Sequence, residues 1–397
     1  MENLEKYSQI KRRTRPDFIN IHPIQAAGKL TEAAKKALIE FGDGYSVCDL
    51  CLEGKLQTIK NPPIKDFLDD LATFMGMETA RPTAGSRMAM NIVFKVLAKP
   101  GDVVILDGNA HYTTYLAAED NLVKLKEVPN SGYPDFIIYE DLFEEKIEMV
   151  KKETGKLPAF IVLTQVDYNY GNICNAKKVG EISKKFSIPF VINGAYSVGV
   201  MPVKGMDLLA DILIASGHKS MAASGPIGIL GTTDKLADKL FEKSSIIGDW
   251  SGRKFGNKEC HLFGCPPVYG APIATLMASF PTIVQRTKKE IWDEEVKKIR
   301  FFVQEIEKIE GIKQVGQRPH NHTLTKLETP SLHEASKNHK DKGYFLFKAL
   351  KKKKIAGLFP GSTKSFKINT YGLTWEEIKK VINIFINIAE ENDIKIN

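Results

Sequence analysis

Apolar positions in this chain switch between helical and strand-like spacing from about residue 60 onward. Ile64, Phe67, Leu68, Leu71 and Phe74 recur every three or four residues and predict one buried helix face. Short apolar runs predict strands near 78–82, 103–106, 123–128, 160–164, 189–192 and 211–214, with helices near 139–153 and 176–186 among them. Such alternation predicts an α/β fold with a mostly parallel sheet flanked by helices.

The last third of the chain has a different pattern. Residues 244–270 are rich in Gly, Ser and Pro and predict a loop-dominated segment. Helices near 271–286 and 288–309, strands near 312–316, 322–328 and 366–370, and a helix from Thr374 follow. We therefore expect an N-terminal segment over 1–55, a large α/β domain over 56–285 and a smaller C-terminal α+β domain over 286–397.

Composition and charge limit the function classes. The chain has no apolar run of 18 or more residues and no apolar stretch near Met1 that resembles an export signal, so we expect a cytoplasmic protein without a membrane partner. Five cysteines in 397 residues argue against a disulfide framework. The net charge of +8 includes basic blocks at 11–15 and 351–354 and a mixed aromatic and cationic stretch at 250–255, which permit a nucleic-acid partner without requiring one.

A lysine follows the apolar strand near 211–214. An amine that captures an aldehyde must lose its proton near neutral pH and lie at the carboxyl end of a sheet, where loops gather around a ligand. Lys219 meets the positional requirement, and Ser216 and His218 lie beside it. An isolated lysine is usually a solvated loop residue, so the interpretation depends on these neighbours.

A second candidate site is an anion cradle at 84–87. The sequence Ala-Gly-Ser-Arg ends at Arg87 and precedes an amphipathic stretch over 88–97. The first turn of a helix offers free N–H groups and a positive dipole to an anion, and Ser86 and Arg87 would add a hydroxyl and a guanidinium. An ordinary N-cap is the alternative interpretation of this pattern.

These segments together resemble the fold-type I enzymes that depend on pyridoxal 5′-phosphate (PLP), in the branch of class V aminotransferases and cysteine desulfurases. The resemblance rests on S-G-H-K at 216–219, on G-P-I-G at 225–228 and on the apolar strand that ends at Asn193. It implies a cofactor linked to Lys219, and a histidine or aromatic residue, here His111, stacked on the cofactor ring. It further implies contacts to the cofactor from Ser86, Arg87, Asn193, Ser216, His218 and either Gln165 or Asn169.

Asn193 departs from the pattern of that branch, which has Asp at this position. An Asp keeps the pyridine nitrogen protonated and makes the cofactor a strong electron sink, whereas an amide supplies no negative charge. Transamination and racemisation should suffer most from this change. Elimination of a good leaving group from the β-carbon should suffer least.

Two cysteines three positions apart, Cys48 and Cys51, can reach one metal, one cluster or one another. We favour Cys265 over Cys260 as a third member, because the Gly before it and the Pro after it fix an irregular backbone. Zinc is the other metal option, with His261 as the fourth ligand.

With these cysteines, the chain resembles the family of Sep-tRNA:Cys-tRNA synthases over nearly its whole length. That resemblance implies β-replacement of phosphate by sulfur on O-phosphoseryl-tRNA(Cys), giving cysteinyl-tRNA(Cys). It implies Cys48, Cys51 and Cys265 as sulfur carriers, either as a persulfide or as iron–sulfur ligands, with Arg87, His111 and Arg253 as candidates to neutralise the phosphate. A homodimer and a phosphoseryl-tRNA synthetase partner are further implications.

Two alternatives compete with this interpretation. A cysteine desulfurase acting on a free amino acid shares the fold, but Asn193 and the lack of a recognisable cysteine-bearing loop in the last third disfavour it. A non-catalytic scaffold that binds tRNA or an iron–sulfur cluster is the other alternative, and Lys219 argues against it.

Overall fold

The computed structural model describes residues 4–10, 17–24, 26–42, 62–242, 244–254 and 270–397. The α-helices in these ranges are α1 Glu32–Glu40, α2 Ile64–Met75, α3 Ser86–Leu97, α4 Tyr112–Asp120, α5 Leu142–Thr154, α6 Ala176–Phe186, α7 Gly217–Ser220, α8 Asp234–Leu240, α9 Gly270–Arg286, α10 Lys289–Ile306, α11 Pro330–Asn338, α12 Phe345–Lys352 and α13 Trp375–Glu390. The strands are β1 Ile19–Asn20, β2 Thr79–Thr83, β3 Val103–Asp107, β4 Lys124–Val128, β5 Ile161–Thr164, β6 Phe190–Asn193, β7 Ile212–Ser216, β8 Gly228–Thr232, β9 Lys313–Val315, β10 Leu324–Glu328, β11 Ile355–Ala356 and β12 Ser365–Asn369.

A seven-stranded sheet organises the larger part of the described chain, in the order β2-β8-β7-β6-β5-β3-β4. Strands β7, β6, β5, β3 and β4 are mutually parallel, and β8 runs antiparallel to both β7 and β2. The predicted α/β class with a mostly parallel sheet is therefore confirmed. The parallel strands bring their carboxyl ends to one edge, where α/β folds bind ligands.

The central strands are apolar throughout because helices cover both faces of the sheet. In β5, Ile161 and Leu163 belong to one buried cluster, while Val162 belongs to the cluster on the other face. The rings of Phe94 in α3 and Phe160 pack edge to face in that second cluster, with centroids 4.9 Å apart. Alternate residues of one strand thus face two cores, which fixes the strand register.

Contacts divide the chain into two units. One comprises Ala27–Lys297 with Gly316–His322, and the other comprises Met1–Ala26, Lys298–Val315 and Thr323–Asn397. The second unit contains the antiparallel sheet β12-β10-β9 and the parallel pair of β1 with β11. This grouping differs from the expected segments in joining the N-terminal residues to C-terminal elements, and the boundaries 1–55, 56–285 and 286–397 stay a prediction.

The second unit has its own core. Phe302 of α10 and Phe385 of α13 are fully buried in it, together with Leu327 of β10. Helix α13 begins with a capping box in which Thr374 and Glu377 bond each other's backbone N–H groups. In neither unit does the described chain contain a helix that is long and apolar enough to cross a membrane.

Candidate active site

A cleft of about 230 Å³ opens at the carboxyl ends of β5, β6 and β7 in the larger unit. It brings together segments that are far apart in the sequence: the β2–α3 loop, the start of α4 and the turn after β7. Of the candidates from the sequence, those that line the cleft are Ser86, Arg87, His111, Asn193, His218 and Lys219.

Lys219 lies in the short helix α7 and is half-buried. Burial lowers the pKa of its amine below the ordinary 10.5, because a desolvated ammonium is less stable than a hydrated one. The Lys219 Nζ atom lies 5.3 Å from the centroid of the Tyr196 ring. A larger fraction of this amine is therefore neutral at physiological pH, as attack on an aldehyde requires.

His218 is held in one orientation beside Lys219. Its Nδ1 atom lies 3.0 Å from the carbonyl oxygen of Ile227, and burial lowers the pKa of the ring. The Ile227 nitrogen lies 3.3 Å from the same Nδ1 atom, so the backbone of Ile227 holds the ring in place. Gly225 permits this placement, because a Cβ there would lie 2.8 Å from the Cβ of His218.

Ser216 ends β7 and is fully buried. No described residue bonds to its hydroxyl oxygen, although buried hydroxyls nearly always have a partner. A polar ligand atom that bonded to Ser216 would satisfy this hydroxyl, which fits the predicted role of this residue.

The backbone at the start of α3 forms a cradle at the edge of the cleft. Gly85, with φ of +96°, adopts a conformation that side-chain-bearing residues rarely take. A Cβ on Gly228 would lie 2.4 Å from the Ser86 nitrogen, so this strand residue must be glycine for the loop to lie so close. The cradle fits an anion such as a phosphate at the helix N-terminus.

The two polar side chains of the cradle, Ser86 and Arg87, differ in their hydrogen bonding. The Ser86 hydroxyl donates to the carbonyl of Ala215 at 2.9 Å, which ties the helix start to the end of β7. Arg87 is exposed and makes no hydrogen bond or ion pair with another described residue. Its guanidinium is thus available to an anion.

His111 is the N-cap of α4, and its Nδ1 atom lies 2.8 Å from the Thr113 hydroxyl. The ring also contacts Tyr168 edge to face, with centroids 4.7 Å apart. These contacts hold the ring at the wall of the cleft.

Asn193 is buried at the end of β6 and lines the cleft. Its Oδ1 atom accepts a hydrogen bond from the Ala195 N–H at 3.3 Å. Neither Gln165 nor Asn169 is among the lining residues, and the Gln165 oxygen accepts from the Ser197 hydroxyl at 2.5 Å. The choice between Gln165 and Asn169 stays open.

The cysteines of the sulfur-delivery prediction, Cys48, Cys51 and the pair Cys260 and Cys265, lie outside the described residues, as does His261. Arg253 is described and does not line the cleft. In the described ranges no group of three or more His, Cys, Asp or Glu side chains is arranged to hold a metal ion.

Sequence reasoning missed Arg286, at the end of α9. Its Nε atom donates to the Gly199 carbonyl at 2.9 Å, and its Nη2 atom donates to the carbonyls of Ala27, at 3.1 Å, and Ser220. Ser220 is the last residue of the helix that contains Lys219. Arg286 therefore ties the lysine-bearing turn to two other segments, and no local sequence pattern indicates such a contact.

Tyr196, which lies under the Lys219 amine, was also missed. Its carbonyl accepts a hydrogen bond from Nε2 of His322 at 3.1 Å. Burial lowers the pKa of His322 to about 3, so this imidazole stays neutral.

A second cavity, of about 160 Å³, shares Thr164 with the cleft and is lined by Asp107, Asp167 and Cys174. The two oxygens of Asp107 accept from the backbone N–H groups of Thr164, at 2.6 Å, and Asn109, at 3.1 Å. Burial, with Asp167 as a lesser cause, raises the pKa of Asp107 to about 7 against the lowering effect of those hydrogen bonds. Asp107 thus joins the ends of β3 and β5 beneath the cleft.

We expect Asp107→Asn to change the pH dependence of stability. The folded protein holds the Asp107 proton more tightly than the unfolded chain, so the contribution of Asp107 to wild-type stability falls as pH rises from about 4 to about 7. Asn lacks this titration, and its single oxygen leaves one backbone N–H without an acceptor, at a cost of about 1–3 kcal/mol at low pH. The free-energy difference between wild type and variant should therefore narrow from pH 5 to pH 8 in urea unfolding.

The matched control is Asp102→Asn, at a half-buried carboxylate just before β3 that accepts from the Lys99 N–H at 2.8 Å. A change in the free-energy difference that both variants share would be a general effect of removing a carboxylate, so the effect specific to Asp107 is the excess over this control. A constant difference for Asp107→Asn would contradict the role of burial in holding its proton.

Comparison with known proteins shows the family to which the chain belongs. Residues 7–390 match the family model described as O-phosphoseryl-tRNA(Sec) selenium transferase, SepSecS. O-phospho-L-seryl-tRNA:Cys-tRNA synthase 2 of Archaeoglobus fulgidus is 50% identical over 381 residues, which cover 96% of each chain. A crystal structure of the complex of SepCysS with the SepCysE N-terminal domain is 46% identical with a TM-score of 0.88, covering 98% of this chain and 99% of that one.

A cysteine desulfurase of Thermococcus onnurineus NA1, solved in its apo form, is more distant. It is 18% identical with a TM-score of 0.75, covering 94% of this chain and 95% of that one, and shows the shared fold. The seven-stranded sheet, the turn at 216–219 that carries Lys219 (the lysine turn) and the cradle at 84–87 define a fold-type I PLP-dependent transferase. Within that class, the chain belongs to the SepSecS family.

Proposed function

We propose that the protein converts O-phosphoseryl-tRNA(Cys) to cysteinyl-tRNA(Cys) with PLP as its cofactor. The proposal rests on the cleft, where the half-buried amine of Lys219, with its lowered pKa, and the helix cradle at the start of α3 line the same space. The chain that holds this cleft is 50% identical to a named O-phospho-L-seryl-tRNA:Cys-tRNA synthase. The reaction exchanges a Cβ–O bond for a Cβ–S bond and releases phosphate. With sulfur at the level of sulfide, neither partner is oxidised or reduced.

The residues of the cleft fit PLP. The amine of Lys219 would hold the aldehyde carbon, and the α3 N-terminus with Arg87 would hold the cofactor phosphate. Ser216 is fully buried and does not line the cleft, but its hydroxyl has no partner among the described residues and would be satisfied by a polar atom of the ligand. When bound, PLP withdraws electrons from the α-carbon of the substrate.

Asn193 would face the pyridine nitrogen with its NH₂ group, because its oxygen already accepts from Ala195. An N–H donor suits an unprotonated ring nitrogen, so the electron sink is weak. Phosphate is a good leaving group, and its loss from the β-carbon tolerates such a sink.

Lys219 has a second task. Once its amine is free and neutral, it can remove the α-proton of the substrate and later return it. Arg87 and His111 both line the cleft, where either would neutralise the substrate phosphate. His111 would otherwise stack on the cofactor ring, and His218 would position Lys219. Arg253 is a further candidate to neutralise phosphate, on sequence grounds alone.

Sulfur would arrive on Cys48, Cys51 and Cys265, and the sequence spacing supports this part. If one of these cysteines carried a persulfide, a second cysteine would supply the two electrons by forming a disulfide with the inner sulfur, so that the outer sulfur is transferred at the level of sulfide. An iron–sulfur cluster would hold sulfur that is already at that level. A homodimer, a phosphoseryl-tRNA synthetase and a SepCysE-like protein are proposed as protein partners. The 46% identical SepCysS, solved in complex with the SepCysE N-terminal domain, supports the last of these.

The test measures phosphate release and cysteinyl-tRNA formation from phosphoseryl-tRNA(Cys), with sulfide as the sulfur source. We expect both products from the tRNA ester, and neither from free phosphoserine. Alanine and sulfide formed from free cysteine would instead indicate a desulfurase. Parallel assays with phosphoseryl-tRNA(Sec) and selenide test the reaction that the family description names.

A further inference from the structure

Lysines make up five of the eight residues that line a groove in the second unit. Its volume is about 590 Å³, and it runs between the C-terminal end of α12 and one face of α13. We define the lysine groove by its lining residues, which are Lys352, Lys353, Lys354, Glu376, Lys379, Lys380, Asn383 and Ile384. We propose that the lysine groove binds the phosphate backbone of the tRNA substrate.

Helix geometry gathers the charges on one surface. Glu376, Lys379, Lys380 and Asn383 recur at spacings of three or four residues, so they share one face of α13. Helix α12 ends at Lys352, and Lys354 adopts φ of +62°, which turns the chain beside that face. Two lysine clusters that are distant in the sequence thus form one surface.

Most of this charge is available to a ligand. Lys354 forms an ion pair with Asp17, at 2.9 Å between Nζ and Oδ2. Lys352, Lys353, Lys379 and Lys380 are exposed and have no ion pair with another described residue. Five lysines face one glutamate in the groove, so it attracts anions.

The chemistry favours a phosphate backbone. Lysine ammonium groups act as point charges that bind phosphates without reading bases, and binding to several phosphates releases condensed counterions. The amide of Asn383 can additionally bond a ribose hydroxyl or a phosphate oxygen. This inference rests on the proposed function, which supplies an RNA substrate much larger than the reacting amino acid.

The test compares Lys379→Glu/Lys380→Glu with wild type, because Glu suits a helix as well as Lys does. We expect KM for phosphoseryl-tRNA(Cys) to rise at least about tenfold with kcat unchanged. The slope of log affinity for tRNA against log salt concentration should become shallower by about two, because about two phosphate contacts are lost. Equal midpoints of thermal unfolding for the two proteins would show that the charge exchange leaves the fold intact.

Lys151→Glu/Lys152→Glu is the control. This adjacent exposed pair in the last turn of α5 undergoes the same charge change, and its variant should keep the wild-type KM. An equal rise in KM for both double variants would show a general charge effect and overturn the proposal. A wild-type KM in the groove variant would also overturn it.

Direct binding separates this inference from the proposed function. Filter binding of uncharged tRNA(Cys) requires no turnover, so it reports on the groove even if the reaction were a different one. Wild-type affinity in the groove variant overturns the tRNA proposal, whatever the activity assays show. Weaker binding by the groove variant alone supports it.

Discussion

Lys219→Ala should lower kcat for cysteinyl-tRNA formation by about 10⁴-fold, because one amine serves both as the covalent anchor and as the base for the α-proton. The lowered pKa of Lys219 makes that amine reactive near neutral pH, and no other lysine lines the described cleft. Borohydride treatment of the cofactor-loaded wild type should give a modified peptide that spans residue 219. The variant should give the same peptide unmodified.

Two substitutions control this experiment. Lys219→Arg keeps the positive charge but cannot lose its proton, so it should be as inactive as the alanine variant. Lys235→Ala removes an exposed lysine from α8 and should leave both kcat and the labelled peptide unchanged. Borohydride labelling at another lysine, with residue 219 unmodified in wild type, would refute the assignment of Lys219.

The central strands of the sheet, β5 and β6, were predictable because they are buried on both faces. The predicted strands near 160–164 and 189–192 agree within a residue or two with Ile161–Thr164 and Phe190–Asn193. Helix α4 was missed, since its buried residues are only Thr114, Ala117 and Ala118, and small side chains leave no apolar stripe in the sequence. Strand β1 was missed because its two residues pair with β11, near the other end of the chain.

The antiparallel direction of β8 could not be predicted from the sequence either. Its apolar run predicts a buried strand but carries no sign of direction, which is set by long-range pairing with β2 and β7. Strand direction matters here because β8 provides Gly228, whose missing Cβ admits the phosphate cradle.

For the site, residues within short motifs could be predicted and residues that act across the fold could not. The turn at 216–219 and the loop at 84–87 are contiguous, so their spacing alone indicates their chemistry. Arg286 and His322 reach the site only because helix packing and chain return bring them there. Their hydrogen bonds go to backbone carbonyls, which have no sequence signature.

Arg286→Ala should lower the free energy of unfolding by about 2–4 kcal/mol, because its guanidinium bonds three carbonyls that would lose a charged donor. It should also lower kcat. One of those carbonyls belongs to Ser220, and a Cβ on Gly28 would lie 2.3 Å from the carbonyl oxygen of His218, so the lysine turn is closely enclosed. Without Arg286, water should reach Lys219 more easily.

A purely structural role for Arg286 would change stability alone, whereas a positioning role also changes the Lys219 amine. Hydration should raise the lowered Lys219 pKa toward 10.5, so capture of a test aldehyde, trapped by borohydride, should require a higher pH in Arg286→Ala. Arg286→Lys should restore part of the stability, because one ammonium cannot span three carbonyls. Lys288→Ala, an exposed cation two residues away, should match wild type, and an unshifted pH profile in Arg286→Ala would show that Arg286 does not control the reactivity of Lys219.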